Sequence, residues 1–228
     1  MKHICLDTET TGFDPRKGDR IVEIACVELE NYMPTGREYH QYINPERDMP
    51  EAAYKVHGLS ADFLSDYPVF SKVAQDFVDF IGDIPLVIHN AKFDMKFLNF
   101  ELMKCGYDEM PMSRSIDSLA IARKKFPGSP ATLDALCKRF DISLQSRDLH
   151  GALIDTRLLA EVYLNLCEGR APKLTLETDQ KSSRSFIAKN QTLVTERQKD
   201  LPTRLKEDEI KAHKAFISKF KSKSLWDN

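Results

Sequence analysis

An α/β fold, with a sheet that starts antiparallel and is flanked by helices, is predicted by a change in hydrophobic period along the chain. Three neighbouring segments in the first 43 residues have strand character, whereas apolar residues from position 69 onwards recur at helical intervals. One compact apolar run lies between two of the helical segments. Strands first, then helices alternating with a strand, indicate a sheet with helices packed against it.

The predicted strands are short and closely spaced. The first is an apolar run that ends in polar residues, the second is rich in β-branched residues, and the third stops at an Asn-Pro pair. Their short connections favour antiparallel pairing, and a fourth, wholly apolar run favours a buried strand. The four segments are residues 3–8, 21–29, 38–43 and 84–88.

Helices are predicted where apolar residues return every three or four positions and so share one face. Val69, Val73 and Phe77 set this pattern in the first helical segment, and residues 153–166 show the strongest periodicity. The helical segments are 69–81, 93–103, 133–140 and 153–166.

Composition excludes several classes of protein. Hydrophobic residues at 42% and charged residues at 30% suit a globular chain with a core. No apolar run approaches the roughly 18 residues of a membrane span, and acids near the start disfavour a signal peptide, so we expect a cytoplasmic protein without a membrane partner. The formal charge of -2 argues against a protein that coats nucleic acid, but not against an enzyme that holds one strand end. Five scattered cysteines without a C-x-x-C pair predict reduced thiols.

A shift in composition divides the chain into three parts. Residues 1–168 have the pattern of a folded domain. Residues 169–202 are rich in Lys, Ser, Thr, Gln and Glu, which predicts a flexible linker. Residues 203–228 form a tail in which 207–221 can make a short amphipathic helix.

Two carboxylates at the end of the first strand are the first candidate site residues. Asp7 and Glu9 are two positions apart, so both side chains leave the same face of the sheet. Side by side they repel each other unless a cation lies between them. A solvated strand end is the alternative, and the pair alone does not decide between the two.

Two later segments add further candidates. Asp94 lies in a helix that begins near Asn90, on a partly buried face where a carboxylate needs a partner; local capping is the alternative. Asp155 lies near the amino end of the last helix of the domain. His150 precedes it by about a turn and a half and can overhang the same site, although capping or packing is the commoner role of a single histidine.

Taken together, these segments resemble the Exo I, Exo II and Exo III motifs of the DEDDh exonucleases in order and spacing. The resemblance spans roughly the first 168 residues and implies an RNase H-like mixed sheet and a 3′ to 5′ exonuclease activity. The matching residues are Asp7-Thr8-Glu9-Thr10-Thr11-Gly12, then His89-Asn90 through Phe93-Asp94 and Phe97-Leu98, and finally His150 with Asp155.

The resemblance also implies chemical roles. Asp7, Glu9, Asp94 and Asp155 would hold two divalent metal ions, and all-oxygen ligation suits Mg²⁺ or Mn²⁺. His150, with an ordinary pKa of about 6.5, would act as the general base at neutral pH. A tyrosine at that position would instead mark the related DEDDy group.

Substrate contacts follow from the same comparison. His57 matches a family position near the bound nucleotide, although it could be a turn residue before Gly58. An acid that the family often carries five residues earlier is Ala52 here, with Glu51 adjacent, so contacts at that place stay open. The implied substrate-binding residues are Asp7, Glu9, Thr10, Thr11, His57, Asn90 and Asp155.

The tail resembles that of the proofreading subunits of bacterial replicative DNA polymerases. The similar features are residues 205–216, which include Glu209, His213 and Phe216, and the ending Ser224-Leu225-Trp226. They imply that the tail binds the polymerase subunit while the nuclease acts on a DNA 3′ end. A linker of roughly 30 residues would span about 30 Å as a flexible coil. A solvated, frayed end is the alternative reading of the tail.

Three questions stay open at this point. The sliding clamp is a further partner to consider, through residues 180–186, although their spacing fits a clamp-binding peptide poorly. An RNA-trimming or oligonucleotide-degrading DEDDh nuclease would have the same active site. A non-catalytic polymerase scaffold is also conceivable, but a scaffold has no need to keep like charges together.

Overall fold

The computed structural model describes residues 1–144, 151–167 and 206–219. The chain divides into two units, Met1–Lys173 and Leu174–Asn228. All five cysteines are free, as predicted. Among the described residues, no helix has the length and apolar character needed to cross a membrane.

Five strands of the first unit form one mixed sheet in the order β3-β2-β1-β4-β5. The strands are β1 (Lys2–Thr10), β2 (Ile21–Glu30), β3 (Met33–Tyr42), β4 (Leu86–Ile88) and β5 (Ser115–Asp117). The first three pair antiparallel, whereas β4 runs parallel to β1 and β5 runs parallel to β4. The predicted antiparallel start is therefore confirmed, and β1 lies at the centre of the sheet.

Helices separate and cover these strands. Those described in the first unit are α1 (Glu51–His57), α2 (Ala61–Ser65), α3 (Phe70–Ile81), α4 (Ala91–Lys104), α5 (Ser118–Lys125), α6 (Leu133–Arg139) and α7 (Ala152–Leu166). The second unit contains α8 (Glu207–Ile217) within its described residues.

Different helices cover the two faces of the sheet, and this determines where the candidate site residues point. Ile4 and Leu6 of β1 join a core cluster with α3 and α4. Cys5 joins a second cluster with α7. Because strand side chains alternate between faces, Thr8 falls on the α4 side, whereas Asp7 and Glu9 fall on the α7 side.

Helix α7 is buried on most of its circumference because it packs against the sheet on one side and against α5 and α6 on another. The clearest one-sided apolar pattern belongs to α3, which buries Phe70, Val73 and Phe77 and leaves its opposite face in solvent. The prediction that residues 153–166 show the strongest periodicity is therefore wrong, since a helix enclosed by protein carries apolar residues on several sides.

Several short elements were not predicted. Helix α1 exposes Tyr54 and Val56 and buries only His57, so it has no apolar stripe. Strand β5 has three residues and is only half-buried. Strand β3 starts five residues before the predicted 38–43, because its first half is an exposed edge without an alternating pattern.

The described helix of the second unit confirms the predicted helix within 207–221. Its first turn carries three acids, and Glu209 accepts a hydrogen bond from the backbone N–H of Lys206 at 2.9 Å. Both features favour a helix start. The apolar side chains of Ile210 and Phe216 are exposed, Phe216 to 59%.

Candidate active site

Three carboxylates from two distant parts of the chain meet at the end of β1. Asp7 and Glu9 are on the α7 side of the strand, and Asp155 lies in the first turn of α7. One oxygen from each of the three lies within 4.8 Å of the others. The structure therefore brings together three of the four acids that the sequence motifs singled out.

Asp94, the fourth acid, approaches the same strand end from the α4 side. It is 3% exposed and lies in the first turn of α4. Its Oδ1 atom accepts hydrogen bonds from the Thr8 hydroxyl at 2.7 Å and from the Thr8 backbone N–H at 3.2 Å. Asp94 is not one of the three acids whose oxygens converge.

Crowding of these acids changes their proton affinity. Burial and the charges of Asp94, Glu9, Asp155 and Glu23 raise the pKa of Asp7 well above its ordinary value. Burial also raises the pKa of Asp94 to about 7, although the hydrogen bonds from Thr8 act in the opposite direction. Without a cation, the cluster would therefore hold protons close to neutral pH.

The donor set fits a hard divalent cation. The three converging groups offer only carboxylate oxygens, which Mg²⁺ and Mn²⁺ prefer to nitrogen or sulfur ligands. A cation placed among them would relieve the repulsion that raises the pKa of Asp7. Asp94 is close enough to contribute to that repulsion, so its charge also acts on the site.

Glu23 is a further acid of this region that the sequence motifs did not single out. It lies on β2 directly opposite Glu9 and is 3% exposed. The Glu-Ile-Ala pattern around it looks like any apolar strand interrupted by one polar residue. One signal could have identified Glu23: it lies within the apolar segment 21–29, so its side chain was expected to be buried with that strand.

A bulge follows Glu9 and turns the chain away from the sheet. The pairing of β1 with β2 shifts register between Glu9 and Thr10, a distortion that often re-aims side chains beside functional sites. The Thr10 hydroxyl then donates to the Gly12 carbonyl at 2.7 Å, and the Thr11 hydroxyl accepts the Arg20 N–H at 3.0 Å. These bonds fix the Thr10-Thr11-Gly12 turn beside the carboxylates.

Gly12 is required in that turn by a neighbouring side chain. A Cβ atom at position 12 would lie 2.4 Å from an oxygen of Asp19, far inside contact distance. Asp19 cannot easily move, because it accepts hydrogen bonds from the Asp14 N–H at 3.0 Å and from Arg47 at 2.9 Å. Only glycine allows this close approach.

Asn90 begins the helix that carries Asp94. Its backbone is left-handed, with φ of 73°, a conformation that asparagine tolerates better than most residues. The Asn90 N–H donates to Oδ1 of Asp117 at 3.2 Å, and the same oxygen accepts the N–H of Leu119 at 2.9 Å. Asp117 at the end of β5 therefore secures the start of α4.

His89 is fixed next to this turn. Its Nδ1 lies 2.9 Å from the Ser118 hydroxyl, and burial lowers the pKa of the imidazole. A neutral His89 is therefore favoured at neutral pH, and its ring adds a polar group to the wall of the site without adding charge.

Two cavities flank the carboxylates, and the predicted substrate-binding residues divide between them. The larger cavity, of about 690 Å³, has a lining that includes Asp7, Asn90, Arg123 and Asp155. The smaller, of about 490 Å³, has a largely apolar wall and includes Glu9, Thr10, Thr11 and His57.

His57 is a buried residue that lines the smaller cavity. Its Nδ1 accepts the Leu59 N–H at 3.0 Å, so the proton of a neutral ring lies on Nε2. The Nε2 atom is buried. Burial also lowers the pKa of His57, which favours the neutral form. His57 is the last residue of α1, and Gly58 after it ends the helix at φ of 74°.

Ala52 supplies an apolar surface where the family often has an acid. It lines the smaller cavity together with Val56, whereas the adjacent Glu51 pairs with Lys55 at 2.6 Å. The departure from the family pattern therefore leaves this wall of the cavity uncharged.

Several predicted residues lie outside the described part of the chain. They are the general base His150, the clamp-binding segment 180–186 and the ending Ser224-Leu225-Trp226. Of the tail segment 205–216, residue 205 is likewise outside, whereas Glu209, His213 and Phe216 lie in α8.

Comparisons with known proteins agree with the motifs and the geometry. The sequence profile of a family described as Exonuclease matches residues 4–163. A DNA polymerase III subunit epsilon from Rickettsia felis is 48% identical over 221 residues, which cover 96% of each chain. The protein of that name from Escherichia coli K12 is 39% identical over 239 aligned positions, with 99% of this chain and 97% of the relative covered.

The fold is also found among solved structures. The nuclease domain of 3′hExo, a DEDDh family member bound to rAMP, superposes with a TM-score of 0.64 at 19% identity, covering 73% of this chain and 92% of that one. This likeness shows a shared fold. With the profile match and the similarity along nearly the whole of both relatives, the chain belongs to the Exonuclease family and, within it, to the DNA polymerase III epsilon subunits.

Proposed function

We propose that this protein is a proofreading 3′ to 5′ exonuclease that removes mispaired nucleotides from DNA ends as a subunit of DNA polymerase III. The observation that carries the proposal is the convergence of Asp7, Glu9 and Asp155 to within 4.8 Å between two cavities. The reaction is hydrolysis of the terminal phosphodiester. Water adds to phosphorus, the 3′ oxygen leaves, and a nucleoside 5′-monophosphate is released.

Asp7, Glu9, Asp94 and Asp155 are the residues that would hold two divalent ions of the Mg²⁺ or Mn²⁺ class. Such ions, when bound, make water a stronger nucleophile and stabilise the leaving oxygen. The raised pKa values of Asp7 and Asp94 support this role, since carboxylates that repel one another in the free protein gain most from a cation. Thr8 would orient Asp94 by its two hydrogen bonds.

His150 is the proposed general base. It is five residues before Asp155 in the sequence, at the position of the DEDDh histidine. An imidazole with a pKa of about 6.5 can accept the proton of the attacking water near neutral pH. The four acids would therefore position the phosphate, and the histidine would remove the proton.

The smaller cavity is proposed to receive the 3′-terminal nucleoside. Its apolar wall, which includes Ala52, Val56 and Phe93, suits a base and sugar, whereas Thr10 and His57 offer polar groups.

The larger cavity is proposed to receive the strand that precedes the scissile phosphate. Its wall carries the exposed side chain of Arg123 as well as Asn90. A guanidinium pairs well with a phosphate group. This arrangement would place the positive charge of Arg123 beside the next phosphate of the strand. It would explain how a protein with a net charge of -2 holds a DNA end.

The tail is proposed to bind the alpha (polymerase) subunit of DNA polymerase III. Support comes from α8, whose apolar Ile210 and Phe216 are exposed, and from relatives that bear the name of a polymerase subunit. Trp226 would anchor the same interface. With the nuclease tethered in this way, the polymerase subunit would supply the affinity for duplex DNA, and the nuclease would need only to capture a frayed 3′ end. A mispaired 3′ end unpairs at a lower free-energy cost than a matched one, so it would be captured more often. The sliding clamp is a further proposed partner, through residues 180–186.

The function is tested by comparing the release of nucleotides from three labelled ends. Duplex DNA with a mispaired 3′ end, matched duplex DNA and a single-stranded RNA of the same sequence are incubated with the protein and Mn²⁺. We expect faster release of nucleoside 5′-monophosphates from the mispaired DNA than from the matched DNA, and slow release from RNA. A preference for RNA would instead support the RNA-trimming alternative. An inactive protein that still binds the polymerase subunit would support the scaffold.

A further inference from the structure

Glu23 is a buried carboxylate close to the site, but it is not one of the four proposed metal ligands. It is 3% exposed and lies directly opposite Glu9 in the antiparallel pairing of β1 and β2, so both side chains are on the α7 side of the sheet. A further negative charge here adds to the repulsion on Asp7. An uncharged residue would avoid this cost, so the contacts of Glu23 must offset it.

Both oxygens of Glu23 have partners. Oε1 accepts a hydrogen bond from Nε2–H of His40 at 2.7 Å, and Oε2 accepts the backbone N–H of Ala152 at 3.2 Å. Ala152 is the first residue of α7, and the first N–H groups of a helix have no partner inside it. The preceding residue, Gly151, has no side chain to cap them. Glu23 therefore provides from β2 the cap that the sequence beside the helix lacks.

This cap is placed close to the proposed chemistry. Asp155 follows Ala152 by three residues, within the same first turn of α7. His150 precedes Ala152 by two residues, and two residues of chain span at most about 7 Å. One turn further along, the Thr156 hydroxyl donates to the Ala152 carbonyl at 2.6 Å and also lies 3.3 Å from the Ala25 carbonyl of β2, so α7 packs closely on β2 there.

We infer that Glu23 is a positioning residue for the hydrolysis, because it anchors the amino end of α7 on β2. This anchor fixes the position of Asp155 relative to Asp7 and Glu9. It also fixes the start of α7, which His150 precedes by two residues in the sequence. The inference rests on the proposed function. It assigns Glu23 no contact with the substrate. His40, which is partly exposed, orients the carboxylate from the other side.

The test uses Glu23→Ala, Glu23→Gln and a matched control, Glu28→Ala, in the full chain. Glu28 is on the same strand, is equally buried and accepts bonds from Lys2 and Arg37, away from the site. Glutamine keeps an oxygen for the Ala152 N–H, and its amide can donate to His40. We measure kcat and KM on a single-stranded DNA oligonucleotide with Mn²⁺, the thermal unfolding midpoint, and hydrogen exchange of the Ala152 amide by NMR.

We expect Glu23→Ala to lower kcat about tenfold or more with KM changed less than about threefold, because a small misplacement of reacting groups is enough to slow catalysis. The Ala152 amide should exchange faster in that variant only. Glu23→Gln should restore most of kcat and the slow exchange, and Glu28→Ala should lose stability while keeping kcat.

Three results would overturn the inference: parental kcat in Glu23→Ala, an equal loss of kcat in Glu28→Ala, or a Glu23→Gln variant as slow as Glu23→Ala. A parent protein that releases no nucleotide would contradict the proposed function instead. In that case the exchange of the Ala152 amide would still test the anchor, since unchanged exchange in Glu23→Ala would overturn it.

Discussion

Thr8 donates two hydrogen bonds to a single oxygen of Asp94, one from its hydroxyl at 2.7 Å and one from its backbone at 3.2 Å. The two residues are 86 positions apart in the sequence. Thr8 lies between Asp7 and Glu9 but faces the other side of the sheet, so the central residue of the motif joins α4 to the strand that carries the other two acids.

Replacing Thr8 by valine should therefore weaken both the fold and the reaction. Valine has nearly the same shape but lacks the hydroxyl, and a hydrogen bond to a charged group contributes about 1.5 to 3 kcal/mol. We expect a lower unfolding midpoint and a kcat reduced about tenfold. Thr8→Ser, which keeps the donor, is the control. Parental kcat in the valine variant would mean that the hydroxyl does not position Asp94.

Asp7→Ala should abolish metal-dependent hydrolysis without unfolding the protein. Loss of a ligand removes several kcal/mol of transition-state stabilisation, equivalent to about a thousandfold or more in rate. In the absence of metal, the variant should be at least as stable as the parent, because one of the mutually repelling charges is gone. Rates and unfolding midpoints are compared with those of Asp108→Ala, an exposed acid outside the site. Unchanged turnover in Asp7→Ala would refute the metal role.

His150→Ala should separate proton transfer from metal binding. Loss of a general base slows reactions by about a hundredfold to ten-thousandfold, whereas the acids that bind the ions stay intact. Calorimetric titration with Mn²⁺ should therefore give nearly the parental affinity while kcat falls. His213→Ala, in α8, is the control. A His150→Ala variant as fast as the parent would remove this histidine from the mechanism.

Metal-free protein should lose stability as the pH rises from about 5 to about 8. The pKa of Asp94 rises from 3.8 to about 7 on folding, and that of Asp7 also rises. A group with a raised folded pKa contributes its stabilisation below its unfolded value and loses it as the pH passes through the folded value.

Divalent ions should reverse this dependence, since they replace the protons on the carboxylates. Unfolding midpoints are measured with a chelator and with Mn²⁺ at both ends of the pH range. The midpoint should fall with pH in the chelator, and Mn²⁺ should raise it more at the higher pH. An equal effect of Mn²⁺ at both values would contradict the assignment of Asp7 and Asp94 as coupled ligands.

A chain that ends at Gly169 should still degrade single-stranded DNA but should no longer co-purify with the polymerase subunit. The sheet and all described site residues lie within Met1–Lys173, whereas α8 lies in the other unit. The full chain with Ile210→Ser and Phe216→Ser serves as a second variant that keeps the linker. Retained binding of the truncated chain would show that the first unit carries the interface.

The sequence was sufficient to predict strands and the faces of their side chains where the underlying pattern is local and repeated. The β-branched run of β2 and the alternation of faces around Asp7 and Glu9 are determined by neighbouring residues, and both were predicted. Strand β5 was not, because three residues with one apolar side chain, Ile116, form a strand only by pairing with β4. The structure shows how β5 contributes to the site, because Asp117 at its end accepts a hydrogen bond from the backbone N–H of Asn90.

In the candidate site, too, some features could be predicted from the sequence and others depend on tertiary contacts. The three converging acids could be found because motif order and spacing carry information across the chain. The separate attachment of Asp94 through Thr8 could not be predicted, since it depends on which helix covers which face. Glu23 was missed because its role arises from Ala152, 129 residues away.

Strand β1 pairs with β2 along its whole length and with β4 from Ile4 to Leu6, so Asp7 and Glu9 directly follow a segment that is hydrogen-bonded on both sides. If Asp7 and Glu9 hold the metal ions as proposed, we expect a DNA end to move to this strand rather than the strand to the DNA. We therefore expect discrimination between correct and incorrect termini to depend on how easily the last nucleotide leaves its template.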